Sequence, residues 1–190
     1  MKYLITIILL AAAAVVHAKD HVAFVNVGGA IGESLLQQAV TNELDSIITI
    51  SSVVDKVDSI DIGALVAESA KGYPAGERKI SVYFVKDAKF PPQISVPGFF
   101  AVINVRGLDK GADAKTYERR IFKMVLKGLA FSCGFGANHD VGRCVMGAGS
   151  FDSLKGIDGT SASYSPFCYM PLSEYLRKRG LLVEVIPTFD

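Results

Sequence analysis

The hydrophobic period of this chain switches between two residues and about 3.6 several times before Arg106, and then a single helical period runs unbroken from Thr116 to Cys133. His21 to Val27 (HVAFVNV) is a β-rich run closed by Gly28-Gly29, which suits a buried strand and a tight turn. From Ile31, the apolar residues Leu35, Ala39, Val40 and Leu44 recur at helical spacing among Glu33, Gln37, Gln38, Asn42 and Glu43, the pattern of an amphipathic helix. Ile47 to Val54 returns to β-branched residues. Ile62, Leu65, Val66 and Ala70 then predict a shorter helix, which Gly72, Pro74 and Gly76 stop. Lys79 to Val85 and Phe99 to Val105 are two further strands, separated by a loop carrying Pro91-Pro92 and Pro97-Gly98. The order β-α-β-α-β-β predicts an α/β (α+β) domain: a mixed twisted sheet with helices packed on it.

The run from Thr116 to Cys133 is the longest helical signal. Asp113 or Thr116 can cap its start, and Gly134 and Gly136 end it. Ile121, Val125, Leu126, Leu129 and Cys133 line one face, and Arg119, Arg120, Lys123 and Lys127 are expected on a solvated opposite face. Gly142 to Ser165 reads as loop. A last helix is expected from Pro171 to Lys178, stopped by Gly180, with a short strand over Leu181 to Ile186.

Composition narrows the function classes. Of 190 residues, half are hydrophobic, enough for a real core and incompatible with intrinsic disorder. Lys and Arg number 20 against 19 Asp and Glu, and setting Lys2 aside leaves 19 against 19 from Lys19 onward. Nucleic acid is therefore not an expected partner, because such binding rests on clustered cations that release counterions. Met1 to Ala18 (MKYLITIILLAAAAVVHA) has one early Lys, an apolar run from Tyr3 to Val16 and small residues at Val16 and Ala18, the layout of a signal peptide cleaved after Ala18. That run is short of the ~20 residues that span a bilayer, so no stable membrane insertion is expected after cleavage. Residues 19–190 then form one secreted or periplasmic domain, and its three cysteines, Cys133, Cys144 and Cys168, are exported to where disulfides persist.

Two stretches invite chemistry. Gly28 to Gly32 lies between a strand and a helix, yet it lacks the GxGxxG spacing and the lysine of phosphate-binding loops, so it reads as a sharp turn. The second is Leu129-Ala130-Phe131-Ser132-Cys133-Gly134-Phe135-Gly136-Ala137-Asn138-His139, followed by Cys144-Val145-Met146 and later Cys168. Against the metzincin pattern HExxHxxGxxH, Gly136 and His139 match, while Leu129, Ala130 and Cys133 stand at the three leading positions. With the C-x-M element at Cys144 to Met146, the Ser-Leu-containing stretch Gly149 to Asp158 and the downstream Cys168, this region resembles the archaemetzincins, small zinc-dependent peptidases. The resemblance spans most of residues 21–180, its specific part about forty of them, and implies a zincin-like fold built on a long central helix.

The same resemblance implies that the catalytic apparatus has been replaced. A catalytic zinc takes three protein donors and leaves a position for water, and peptide hydrolysis needs a carboxylate to accept that water's proton. Leu129 and Ala130 supply neither. His139 and Cys133 are the remaining donor-bearing positions, and no bound cofactor is expected. Met146 corresponds to the methionine of the Met-turn. Asp140 and Pro171 stand where the family's second, four-cysteine zinc site has cysteines, leaving Cys144 and Cys168 as neighbours that are expected to join in a disulfide. Closing a loop of 23 intervening residues in this way contributes about 3 kcal/mol.

The implied function is an exported pseudo-peptidase that is not a catalyst and binds an extended peptide or protein partner in the residual cleft. The alternatives are an active zinc peptidase with an atypical ligand set from Cys133, His139 and Asp140, and a structural envelope-associated domain. A variant carrying Leu129→His, Ala130→Glu and Cys133→His is expected to gain zinc affinity shared with His139, read by calorimetric titration. A folded triple variant that takes up no zinc would show that these positions do not converge.

Overall fold

The computed structural model describes residues 21–72, 79–137, 144–147 and 153–183. The expected signal segment lies outside them. Strands β1 (Val22–Val27), β2 (Ser52–Val57), β3 (Ile80–Val85), β4 (Gln93–Val96) and β5 (Phe100–Asn104) form one sheet in the order β2-β1-β3-β5-β4. β1 is parallel to β2 and β3, and β3 is parallel to β5, while β4 alone runs antiparallel, beside β5. The mixed sheet with packed helices agrees with the sequence reading.

Side chains alternate across the sheet, so Ile80, Val82 and Phe84 face one way and Tyr83 and Val85 the other. The first face carries the main core. It is covered by helix α1 (Glu33–Gln38), which widens into a π-helical stretch over Ala39–Leu44, and by the long helix α3 (Ala114–Ser132). Helix α2 (Ile62–Ser69), capped by the Asp61 carboxylate on the Ala64 amide, brings Ile62 and Leu65 to the second, smaller cluster. α3 begins where expected, with Asp113 accepting a hydrogen bond from the Thr116 amide at 2.8 Å. Gly128 sits where α3 meets the sheet, and a Cβ there would lie 2.3 Å from Val82 Cγ1 and 3.3 Å from Ile103 Cγ1. A side chain at this position would push the helix off β3 and β5.

Several elements differ from the sequence reading. Ile47 and Ile48 are not strand: both amides donate to Leu44 O, so they prolong the end of the preceding helical segment, and β2 starts only at Ser52. The proline-bounded loop contains β4, whose four residues are too few to show an alternation. A short helix, α4 (Leu154–Gly159), lies inside the expected loop, with the Ser153 hydroxyl accepting from the Gly156 amide. The last helix, α5 (Pro166–Lys178), starts five residues earlier than expected; Pro171 is tolerated one turn in, where only the Phe167 carbonyl is deprived of its helical donor. Of the expected final strand, Leu182 forms an isolated bridge to Ile50, and residues 184–190 lie outside the described residues.

The largest correction concerns the cations of α3. Arg119 is exposed as expected, but Arg120 is 5 % exposed, Lys123 1 % and Lys127 0 %, so most of the face expected in solvent is buried. α4 covers it. Arg120 donates through Nε and Nη2 to the two oxygens of Asp158 at 2.8 and 2.7 Å, and through Nη1 to the carbonyls of Leu108 and Lys110. Lys123 Nζ donates to the carbonyls of Ile157 and Asp158 at 2.7 and 3.3 Å. These hydrogen bonds compensate the desolvation of the charges, which periodicity cannot reveal. The Arg120 guanidinium holds the Asp158 carboxyl below its usual value, whereas burial pushes the Lys123 ammonium down.

Asp158→Asn should therefore destabilise the fold by about 2 kcal/mol at neutral pH, because it strands a buried guanidinium; the half-exposed carboxylate keeps the loss below that of a fully buried pair. The folded carboxyl titrates below its unfolded value, so its contribution is complete above the ordinary aspartate pKa of 3.8 and is lost as pH falls through the depressed folded value. Urea unfolding of both proteins between pH 7 and pH 3 measures this: the gap between them should close on acidification.

Candidate functional site

The end of α3 is tied to the turn that joins β4 to β5. The Gly98 amide donates to Ser132 O at 2.7 Å, and Gly134, in the left-handed region at φ +91°, leaves 3.1 Å between its would-be Cβ and that of Pro97. The Phe135 amide reaches back to Ala130 O at 2.9 Å, closing the helix. α5 packs against the same turn. Arg179 Nη1 donates to Gly98 O at 3.2 Å, the guanidinium lies 5.3 Å from the centre of the Tyr175 ring, and Phe135 meets that ring edge-on at 6.0 Å. A Cβ at Gly98 would contact the Arg179 guanidinium at 2.9 Å and the Tyr175 hydroxyl at 3.3 Å.

Within this frame, Leu129 is 0 % exposed, Ala130 1 % and Cys133 5 %, and all three belong to the main core together with Cys144, Met146, Tyr164, Leu172 and Leu176. Met146 thus lies in the core under the end of α3, where a Met-turn residue and a plain packing residue have the same environment. Burial pushes the Cys133 thiol up to about 12, with Ser132 and Arg179 pulling weakly the other way. A thiol of that kind is not a nucleophile at neutral pH. His139 and Asp140 lie outside the described residues.

Cys144 and Cys168 do come together, as the sequence implied, but not as a disulfide. Their sulfurs stand 3.2 Å apart as thiols, against ~2.05 Å for a covalent bond. The Cys144 sulfur accepts the Met146 amide at 3.4 Å. Burial works against ionising Cys144, yet hydrogen bonds from the Ser165 backbone, Cys168 and Met146 together bring it below the ordinary thiol value. The two sulfurs are therefore held by hydrogen bonds rather than by a bond between them.

Tyr164, Tyr175 and Arg179 carry no signature in the sequence. Tyr164 is buried, donates its hydroxyl to Leu126 O at 2.5 Å, and is pushed well above the usual tyrosine value by burial and by the neighbouring thiols of Cys133, Cys144 and Cys168. It shares the main core with Cys133 and Cys144, against which Cys168 packs.

A zinc centre of the peptidase kind does not fit these residues. Two of its positions carry hydrocarbon without a lone pair, and the third carries a thiol buried in the apolar core. Among the described residues no three of His, Cys, Asp and Glu converge on one point.

The sheet with one antiparallel edge strand, the long helix beneath it and the turn that locks the helix end define a zincin-like fold. Archaemetzincin from Methanopyrus kandleri shares it with a TM-score of 0.61 and 18 % identity over 85 % of this chain and 98 % of that one. So does a zinc-dependent peptidase from Methanocorpusculum labreanum, with a TM-score of 0.55 and 14 % identity over 79 % of this chain and 99 % of that one. At such identities the likeness is one of fold. No protein-family profile and no curated protein matches the chain.

Iodoacetamide at pH 8 should leave Cys133 unmodified in the folded protein and label it only after denaturation, as mass spectrometry of the tryptic peptide reads. Labelling of Cys133 in the native state would show that its pocket is open and its thiol acidic.

Proposed function

We propose that this chain is an exported pseudo-peptidase: a zincin-like domain that does not hydrolyse peptides and binds them in extended form along β4. The observation that carries the reading is the juxtaposition of a dry hydrocarbon pair, Leu129 and Ala130, with an antiparallel edge strand. Hydrolysis needs a Lewis acid and a proton acceptor, and neither side chain can hold the one or be the other. Binding needs only main-chain donors and acceptors plus a shaped surface.

β4 supplies these. The Asn104 amide donates to Pro92 O at 3.0 Å, which fixes the phase of the antiparallel ladder. In that phase Ile94 and Val96 exchange bonds with Val102 and Phe100, while Gln93 and Ser95 turn their N–H and C=O groups to the outer edge. Ser95 is exposed. The Gln93 side-chain oxygen is buried and has no hydrogen-bond partner among the described residues, an orphan acceptor beside the edge.

Export rests on the layout of residues 1–18. The rival peptidase reading, with Cys133, His139 and Asp140 as ligands, is disfavoured by the place of Cys133 in the apolar core, packed among Leu129, Ala130 and Met146. A purely structural domain would bind no peptide at all.

Fluorescence anisotropy with pools of labelled extended peptides tests the reading. Binding should be weakened about tenfold or more by Ser95→Pro, which removes one outward amide and leaves the β4–β5 ladder bonds in place. Protein purified without added zinc should show neither stoichiometric metal nor chelator-sensitive hydrolysis. Stoichiometric zinc with chelator-sensitive cleavage would establish the peptidase, and an absence of binding across the pools would leave the structural domain.

A further inference from the structure

A second cleft, of about 450 Å³, opens at the start of β4, and Pro92, the residue that leads into the strand, forms part of its wall. Its floor is apolar, with Leu108 and with Met124 of α3. Its polar groups are chiefly cationic: Arg106 and Lys110 both line it and both are exposed. The acids nearby are otherwise engaged. Asp109 is paired with Lys86 at 3.1 Å, Asp158 with Arg120, and Asp113 with the Thr116 amide. Arg106 and Lys110 form no ion pair among the described residues. A cleft with an apolar floor and two uncompensated cations is complementary to a carboxylate carried on an apolar body.

Chain direction connects this cleft to the edge strand. A peptide added antiparallel to β4 begins beside Val96, passes Ser95 and Gln93, and arrives at Pro92 with its C-terminal end. A parallel peptide would instead bring its N-terminal ammonium toward Arg106 and Lys110, where like charges repel. We propose that the cleft at the start of β4 captures the C-terminal residue of the bound peptide, with an apolar side chain on Leu108 and Met124 and the free α-carboxylate between Arg106 and Lys110. The inference rests on the peptide-binding reading above and sharpens it: the ligand is a peptide with a free, apolar C-terminal residue, lying antiparallel to β4.

The experiment uses pools of N-terminally labelled hexapeptides ending in leucine, prepared as free acids and as C-terminal amides, with anisotropy on the purified protein. The free acids should bind about tenfold or more tightly than the amides. That preference should disappear in Arg106→Glu/Lys110→Glu and shrink with added salt, while Ser95→Pro should weaken both forms alike. Arg106→Gln serves as a milder variant should the double substitution perturb folding, which far-UV circular dichroism reads. Equal binding of acids and amides overturns the carboxylate assignment and leaves peptide binding standing. Amides ending in glutamate that bind as well as the free acids overturn it too, because the cleft would then read a side chain. If neither form binds, this inference and the reading beneath it fall together.

Discussion

The close seating of α3 on the sheet at Gly128 governs the rest of this structure. With nothing larger than hydrogen at that position, the helix comes down onto Val82 and Ile103 until no further side chain fits between them. A helix is stiff along its length, so one close contact sets the height of every residue on it. α3 therefore sinks far enough for α4 to close over its other side, and residues 120–132 are buried all round. Arg120 and Lys123 follow the helix inward, where the carboxylate and carbonyls at the end of α4 receive them.

The same seating places Leu129, Ala130 and Cys133 in a dry environment. In a zinc peptidase these positions would have to hold polar groups whose desolvation the metal compensates. Without a metal, a buried imidazole and a buried carboxylate side by side would each need a partner, and hydrocarbon needs none. Replacing them with isobutyl and methyl groups removes that demand, and the surrounding core closes on them with Met146 and Tyr164. The fold thus combines an edge strand and flanking clefts with a centre that is ordinary core.

What could be read from the residues beforehand depends on the length and purity of each signal. β1, β3 and β5 and the helix after Gly111 were legible because their apolar runs are long and their ends carry glycine or aspartate. β4 was not, because four residues between Pro91-Pro92 and Pro97 carry no period. Ile47 and Ile48 misled, since β-branched residues pack as well against the last turn of a helix as in a strand. Pro171 suggested a helix start and lies instead inside α5. At the site, Leu129, Ala130, Cys133 and Met146 were found through the resemblance to the metzincin pattern. Tyr164, Tyr175 and Arg179 were not, because they reach the site from elements 30 to 50 residues further along the chain.

The linear order of residues settled the local matters: which segments take a helical or extended period, where glycine and proline interrupt them, and which two positions lack any atom able to hold a metal or move a proton. Those follow from covalent structure and short-range sterics, which each segment carries with it. Tertiary structure alone decided that three cations belong inside, that two thiols meet without bonding, and that β4 presents Ser95 and Gln93 to an open edge. Such outcomes depend on which distant segment supplies a carbonyl, a carboxylate or a neighbouring strand, and only the packed chain brings those groups within reach.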